Sequence, residues 1–230
     1  MKKDPHEFED AIGVSFADKN LLKQAFVHRS YLNEHKRFPL PHNERLEFLG
    51  DAVLELAVTD FLFHKYPAKA EGELTSYRAA LVNTDMLASA GEELGVNDYL
   101  LLSKGEAKDT GRARLYIIAN AFEAIVGALY LDRGYEAARD FIAKTLFSRT
   151  EEIVEKRLWQ DPKSRFQERA QDVAGVTPSY KTLEERGPDH DKYFKIGVFL
   201  GGERVAEGEG KSKQEAEQDA AAKGLIARHW

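Results

Sequence analysis

Through about residue 158 the apolar positions recur at helical spacing, which predicts helices near residues 18–31, 43–65, 72–82, 84–94, 113–132 and 135–158. Asn43 stands where an N-cap belongs, with Glu44 in the first turn, and Pro67 stops that long helix just after Tyr66. The stretch from Ser103 to Arg112 is polar and carries Gly105 and Gly111, the pattern of a loop and a candidate mobile element. After Trp159 the period changes. Asp161-Pro162 opens a short helix to about Val173, and Phe194, Ile196, Val198 and Leu200 then alternate at the period of a strand. Gly187, Gly201-Gly202 and Gly208/Gly210 punctuate three strands, and an alanine-rich helix runs from Ser212 to Arg228. The predicted fold is therefore mainly α with a small α+β domain. An all-helical domain spans 1–158, a linker 159–162, and an α-β-β-β-α domain 163–230. No internal repeat or low-complexity tract is evident.

At 230 residues and 43% hydrophobic content, the chain can build one large core or two modest ones. No run approaches the roughly 18 apolar residues that span a bilayer. The start, Met1-Lys2-Lys3-Asp4-Pro5, meets an acid and a proline where a signal sequence has its apolar core. The expectation is a soluble, cytoplasmic protein with no membrane partner. The absence of cysteine excludes disulfides, thiolate metal sites and cysteine nucleophiles together. Any metal must then be held by oxygen or imidazole. The net charge of −6 argues, taken alone, against a nucleic-acid partner. Most of the acidity lies in residues 1–160, which carry −5, while residues 161–230 carry −1 and can still gather lysines on one face.

Within the helix at 43–65, Glu47, Asp51 and Glu55 are four apart and share a face, beside an apolar stripe of Leu46, Leu49, Val53, Leu56 and Ala57. By themselves such acids fit a solvated helix face as well as half of a metal site. The run from Leu115 to Leu131 is apolar nearly all round its helix, which implies burial on most faces, and Asn120 and Glu123 interrupt it three residues apart. An ionised carboxylate there is strongly disfavoured unless compensated, either by an arginine such as Arg45 or Arg78 or by a cation shared with Glu47 and Asp51. Hard oxygen donors without thiolates favour Mg²⁺, with Mn²⁺ as a substitute.

The motif Asn43-Glu-Arg-Leu-Glu-Phe-Leu-Gly-Asp51, followed by Ile118-Ala-Asn-Ala-Phe-Glu-Ala-Ile-Val-Gly-Ala-Leu-Tyr-Leu-Asp132, closely resembles bacterial ribonuclease III. The resemblance covers essentially the whole chain. It implies a Mg²⁺-dependent endoribonuclease that acts on double-stranded RNA as a homodimer. Glu47, Asp51, Asn120 and Glu123 match the family's metal-site positions, with Asp51 and Glu123 as the catalytic pair. Asn120 departs from the pattern, because the family places an aspartate there; an amide oxygen can ligate a hard cation but brings no charge. Phe48 matches a dimer contact whose ring enters a pocket of the partner, against the plainer alternative of a core aromatic. Glu44 and Glu71 match acidic residues of the catalytic valley, against the alternative of solvated surface charges.

The C-terminal segment resembles the double-stranded-RNA-binding domain. That resemblance sets Ser164, Gln167, Glu168 and Gln171 along one helix face toward 2′-hydroxyls of a minor groove and His190 in the loop between the first two strands. Lys211, Ser212 and Lys213 fall at the N-terminus of the last helix, facing phosphates. Gln214 stands where a second consecutive basic residue is usual. Asn120 and this thinner basic cluster leave one alternative open, a double-stranded-RNA-binding protein whose nuclease-like domain does not cut.

Overall fold

The computed structural model describes residues 3–188 and 192–230. The chain forms two compact units, Met1–Trp159 and Gln160–Trp230. The first is all-helical: α1 (Pro5–Ile12), α2 (Lys19–Ala25), α3 (Arg29–Glu34), α4 (Glu44–Lys65), α5 (Glu71–Leu81), α6 (Thr84–Glu93), α7 (Arg112–Arg133), α8 (Tyr135–Leu146) and α9 (Thr150–Glu155). Its core gathers around α7, where Ile117, Ile118, Phe122, Ile125, Val126 and Leu129 are buried. Helix α4 lies directly against α7, because both helices carry a glycine where they meet. A methyl group at Gly50 would collide with the carbonyl oxygen of Glu123, and one at Gly127 with that of Leu46. These two contacts set how closely the acid-bearing faces approach.

Several sequence expectations change. The helix foreseen over 18–31 is two helices, because His28 is extended (φ −75°, ψ 146°) and the segment between pairs with Leu101: Leu101 donates to Phe26 and His28 donates to Leu101. The foreseen helix 135–158 breaks into α8, a 3-10 turn over Phe147–Arg149, and α9, and Arg157 then turns left-handed at φ 53°. Helix α1 was not foreseen, although Asp4 caps it by accepting from the His6 N–H and Pro5 occupies its first position. Asn43 precedes α4 but does not cap it; its buried amide donates to the carbonyl of Ala25 at 3.0 Å. Leu56, assigned to the apolar stripe, is 58% exposed. Trp159, assigned to the linker, packs edge-on against Tyr77 at 5.1 Å and joins the core of the first unit. Finally, α7 is long and apolar enough to cross a membrane, with a mean hydropathy of 1.4, contrary to the expectation that no segment is. In the folded unit it is the core helix.

In the second unit α10 (Pro162–Ala174) precedes three antiparallel strands, β1 (Pro178–Arg186), β2 (Tyr193–Leu200) and β3 (Glu203–Gly210), in the order β1-β2-β3, and α11 (Lys213–Arg228) follows. Central pairing sets Tyr180 opposite Val198 and Val198 opposite Ala206. That row meets Phe166 of α10 and Ala220, Ala221 and Leu225 of α11. Small residues bring α11 close: a methyl at Gly208 would strike the backbone of Ala216 and Ala220.

Candidate metal centre and nucleic-acid interface

At the α4–α7 crossing, the structure brings Glu47 and Asp51 of α4 toward Asn120 and Glu123 of α7. Asn120 lies near enough to Glu47 to favour its charged form. Glu123 is half-buried and feels the charges of Asp51 and Glu47. No ion pair to Glu123 forms among the described residues. Arg78, one of its candidate counter-ions, donates instead to Thr59 at 3.0 Å and stands 3.9 Å from Glu55. Glu55 thereby has a cation of its own and drops out of the acidic group. Among the described residues no three His, Asp or Glu side chains converge into a ready-made metal cage. The acids face one another across the crossing.

Burial, then Asp51 and Glu47, push the Glu123 carboxyl up to about 8, so it holds its proton at neutral pH. Glu47 is also raised, by burial and by Glu44 and Asp51, with Asn120 acting in the opposite direction. Three carboxylates and an amide oxygen, with one carboxylate lacking any partner cation, are a donor set that fits a hard divalent ion.

Around this centre, Phe48 is 81% exposed, so it is not a core aromatic. Leu56 and Phe63 follow on the same side of α4 and are also exposed. Glu44 is exposed, 3.7 Å from Arg29 and 3.7 Å from His42. Glu71 is exposed, accepts from the Thr75 hydroxyl at 3.0 Å, and lines a cavity of about 390 Å³ with Phe63, Leu74 and Arg78. The structure thus places Glu44 beside Glu47 at the centre and Glu71 at the start of α5.

In the second unit, Ser164, Gln167, Glu168 and Gln171 line one shallow groove of about 410 Å³ along α10, as their spacing predicts. Ser164 is partly engaged, because Asp161 caps the helix through the Ser164 N–H and lies 3.4 Å from its hydroxyl. Ser212 caps α11 by accepting from the Glu215 N–H at 3.1 Å, and Glu215 reaches back to the Lys211 N–H at 2.9 Å. This reciprocal cap leaves the Lys211 and Lys213 side chains exposed at the positive end of the helix. His190 lies outside the described residues. Sequence reasoning missed the interlocking Gly50 and Gly127, although each sits inside one of the two acidic motifs.

A helical unit with hard oxygen donors on crossing helices, followed by an α-β-β-β-α module, is the build of an endoribonuclease that carries its own duplex-binding domain. Comparison with known proteins agrees. Residues 18–150 match the model described as ribonuclease-III-like, and residues 162–226 match the double-stranded RNA binding motif. The Ribonuclease 3 of Bacillus velezensis is 46% identical over 219 residues, covering 95% of this chain and 88% of the relative. That of Geobacillus sp. is 48% identical over 216 residues, covering 94% and 87%. The nuclease domain of ribonuclease III from Campylobacter jejuni, solved in a study of its region involved in dimer formation, aligns with a TM-score of 0.56 at 40% identity. It covers 62% of this chain and 98% of that domain. The chain belongs to the ribonuclease III family, and it is an endoribonuclease with a double-stranded-RNA-binding domain.

Proposed function

We propose that this endoribonuclease cuts double-stranded RNA by Mg²⁺-dependent hydrolysis, leaving 5′-phosphate and 3′-hydroxyl ends with short 3′ overhangs. It acts as a cytoplasmic homodimer away from membranes, one strand per subunit, in the processing of ribosomal, messenger and other structured RNA. The observation that carries the reading is Glu123: a half-buried carboxylate beside Asp51 and Glu47, with no ion pair to it among the described residues. Asp51 and Glu123 are the catalytic acids, and Glu47 and Asn120 complete the donor set. A divalent ion bound there supplies Lewis acidity, drawing charge from a phosphodiester and making water a stronger acid. Glu123 would hold such an ion in its deprotonated form, and the tight α4–α7 contact keeps the four side chains on a rigid pair of helices. Phe48, Leu56 and Phe63 form an exposed apolar row that a second copy of the chain covers, with Phe48 seated in the partner.

In the second unit, Ser164, Gln167 and Gln171 meet 2′-hydroxyls, His190 reaches the neighbouring minor groove, and Lys211, Ser212 and Lys213 meet phosphates. Such contacts read A-form shape over roughly 16 base pairs with little base sequence. The test is cleavage of a long RNA duplex across a Mg²⁺ titration, with Mn²⁺ and chelator controls and mapping of the product ends. Cutting should need the ion, spare duplex DNA and leave 5′-phosphates; cutting that persists in chelator contradicts the reading. Asn120 favours one rival, a duplex-binding protein that does not cut. Inert wild-type and Asn120→Asp proteins that both bind duplex would establish it.

A further inference from the structure

Helix α7 is mostly buried, yet Tyr116 in its second turn is 47% exposed, while the neighbouring Ile117 and Ile118 are withdrawn into the core. Asn120 and Glu123 follow it four and seven residues on, so the tyrosine lies on the face of α7 that carries the acidic centre. Along the helix axis it stands roughly 6 Å from Asn120 and roughly 10 Å from Glu123. Among the described residues none hydrogen-bonds the Tyr116 hydroxyl or packs a ring against it. An exposed tyrosine alone means little; one set in line with the centre, with its hydroxyl unused, has a place in the reaction. An RNA strand whose scissile phosphate lies at Asp51 and Glu123 continues to either side of them, and Tyr116 stands at one of those sides.

We propose that Tyr116 is a substrate-positioning residue: its hydroxyl donates a hydrogen bond to a backbone phosphate beside the scissile one. The proposal rests on the assignment of the cut to Asp51 and Glu123 above. Carboxylates repel the strand, whereas a neutral phenol donates to a phosphate oxygen without adding to that repulsion. Only two side-chain torsions have to be fixed, so the contact costs little conformational entropy.

The experiment compares wild type and Tyr116→Phe, as full-length chains, in single-turnover cleavage of a short RNA duplex in Mg²⁺. It is repeated with duplexes that carry one uncharged methylphosphonate at each position beside the cut. Loss of the hydroxyl should slow cutting at subsaturating RNA by about tenfold, as for a hydrogen bond to a charged group, and leave melting and Mn²⁺ binding unchanged. At one position the methylphosphonate should slow wild type by about tenfold and Tyr116→Phe no further, because both changes remove the same contact. Tyr116→Phe that cuts as fast as wild type overturns the role. Independent losses at every methylphosphonate, or coupling to a 2′-deoxy substitution instead, overturn the phosphate contact. Sedimentation of the free protein tests the other use of an exposed ring: a change of oligomeric state in Tyr116→Ala places it in a protein interface and overturns the proposal. A wild-type chain that binds the duplex without cutting it overturns the reading above and the proposal together.

Discussion

Two glutamates of the helical unit are withdrawn from solvent, and they end in opposite states. Glu9 in α1 is 7% exposed and meets the Lys19 ammonium at 2.7 Å, the Phe16 N–H at 2.5 Å and His6 at 2.8 Å. Burial works against its charge, but Lys19, Phe16 and His6 together outweigh burial and hold the carboxyl at about 2. Glu123 in α7 has two more carboxylates for neighbours and no cation, and it rises to about 8. The chain closes the first site by itself and leaves the second open. Burial alone therefore does not mark a functional acid; burial without a counter-charge does.

The sharpest way to break this contrast is to neutralise each glutamate in the metal-free protein. Glu9→Gln removes a buried anion whose cation is 45% exposed, so the loss should fall below the full value for a buried pair, at about 2–3 kcal/mol near pH 7. The folded pKa lies below the unfolded value, so this stability is present above about pH 4.5 and fades as pH falls toward 2. Chemical denaturation of wild type and variant should therefore converge at low pH. Equal differences at pH 2 and pH 7 would contradict the assignment.

Glu123→Gln should do the reverse. The folded pKa lies above the unfolded value, so the native state binds the extra proton between about 4.5 and 8, and wild-type stability falls as pH rises through that window. The glutamine variant escapes this penalty, which the full shift would set at about 4 kcal/mol near pH 8. Because Glu123 is only half-buried, the variant should be more stable than wild type there by about 2 kcal/mol, and by nothing below pH 4.5. Adding Mg²⁺ should stabilise wild type and not the variant. A variant less stable than wild type at pH 8 without metal would break the comparison.

A smaller effect concerns the other half of the chain. Lys211→Ala with Lys213→Ala should weaken duplex binding by about tenfold, evenly across sequences, and reduce the salt slope by about 1 for each phosphate that the variant no longer neutralises. Fluorescence anisotropy at several salt concentrations measures both. An unchanged slope would remove these lysines from the RNA interface.

Much of this was legible in the sequence, for reasons that particular residues make plain. The long periodic runs of α4 and α7 gave both helices, and the spacing of Glu47 and Asp51, and of Asn120 and Glu123, placed each pair on a helix face before any contact was known. Period-two alternation at Phe194–Leu200 marked the sheet. The break in 135–158 was not legible, because no proline or glycine marks the 3-10 turn at Phe147–Arg149. Leu56 was misplaced because periodicity cannot tell a face that meets the core from one left on the surface. Asn43 looked like a cap, and only the fold brings the Ala25 carbonyl within reach of its amide. The approach of Glu123 to Asp51 and Glu47 joins residues far apart in the chain and exists only once Gly50 and Gly127 let the helices touch.

The central claim is that Glu123 is an acid left without a cation so that a metal-dependent cut can be made there, while a separate module holds the RNA. The direct measurement is cleavage and binding of one long RNA duplex by wild type and Glu123→Gln in Mg²⁺. The account predicts that the variant loses cleavage by at least roughly 10³-fold, as when a group stabilising transition-state charge is removed, while its duplex affinity stays within about twofold. Undiminished cutting by Glu123→Gln would contradict it.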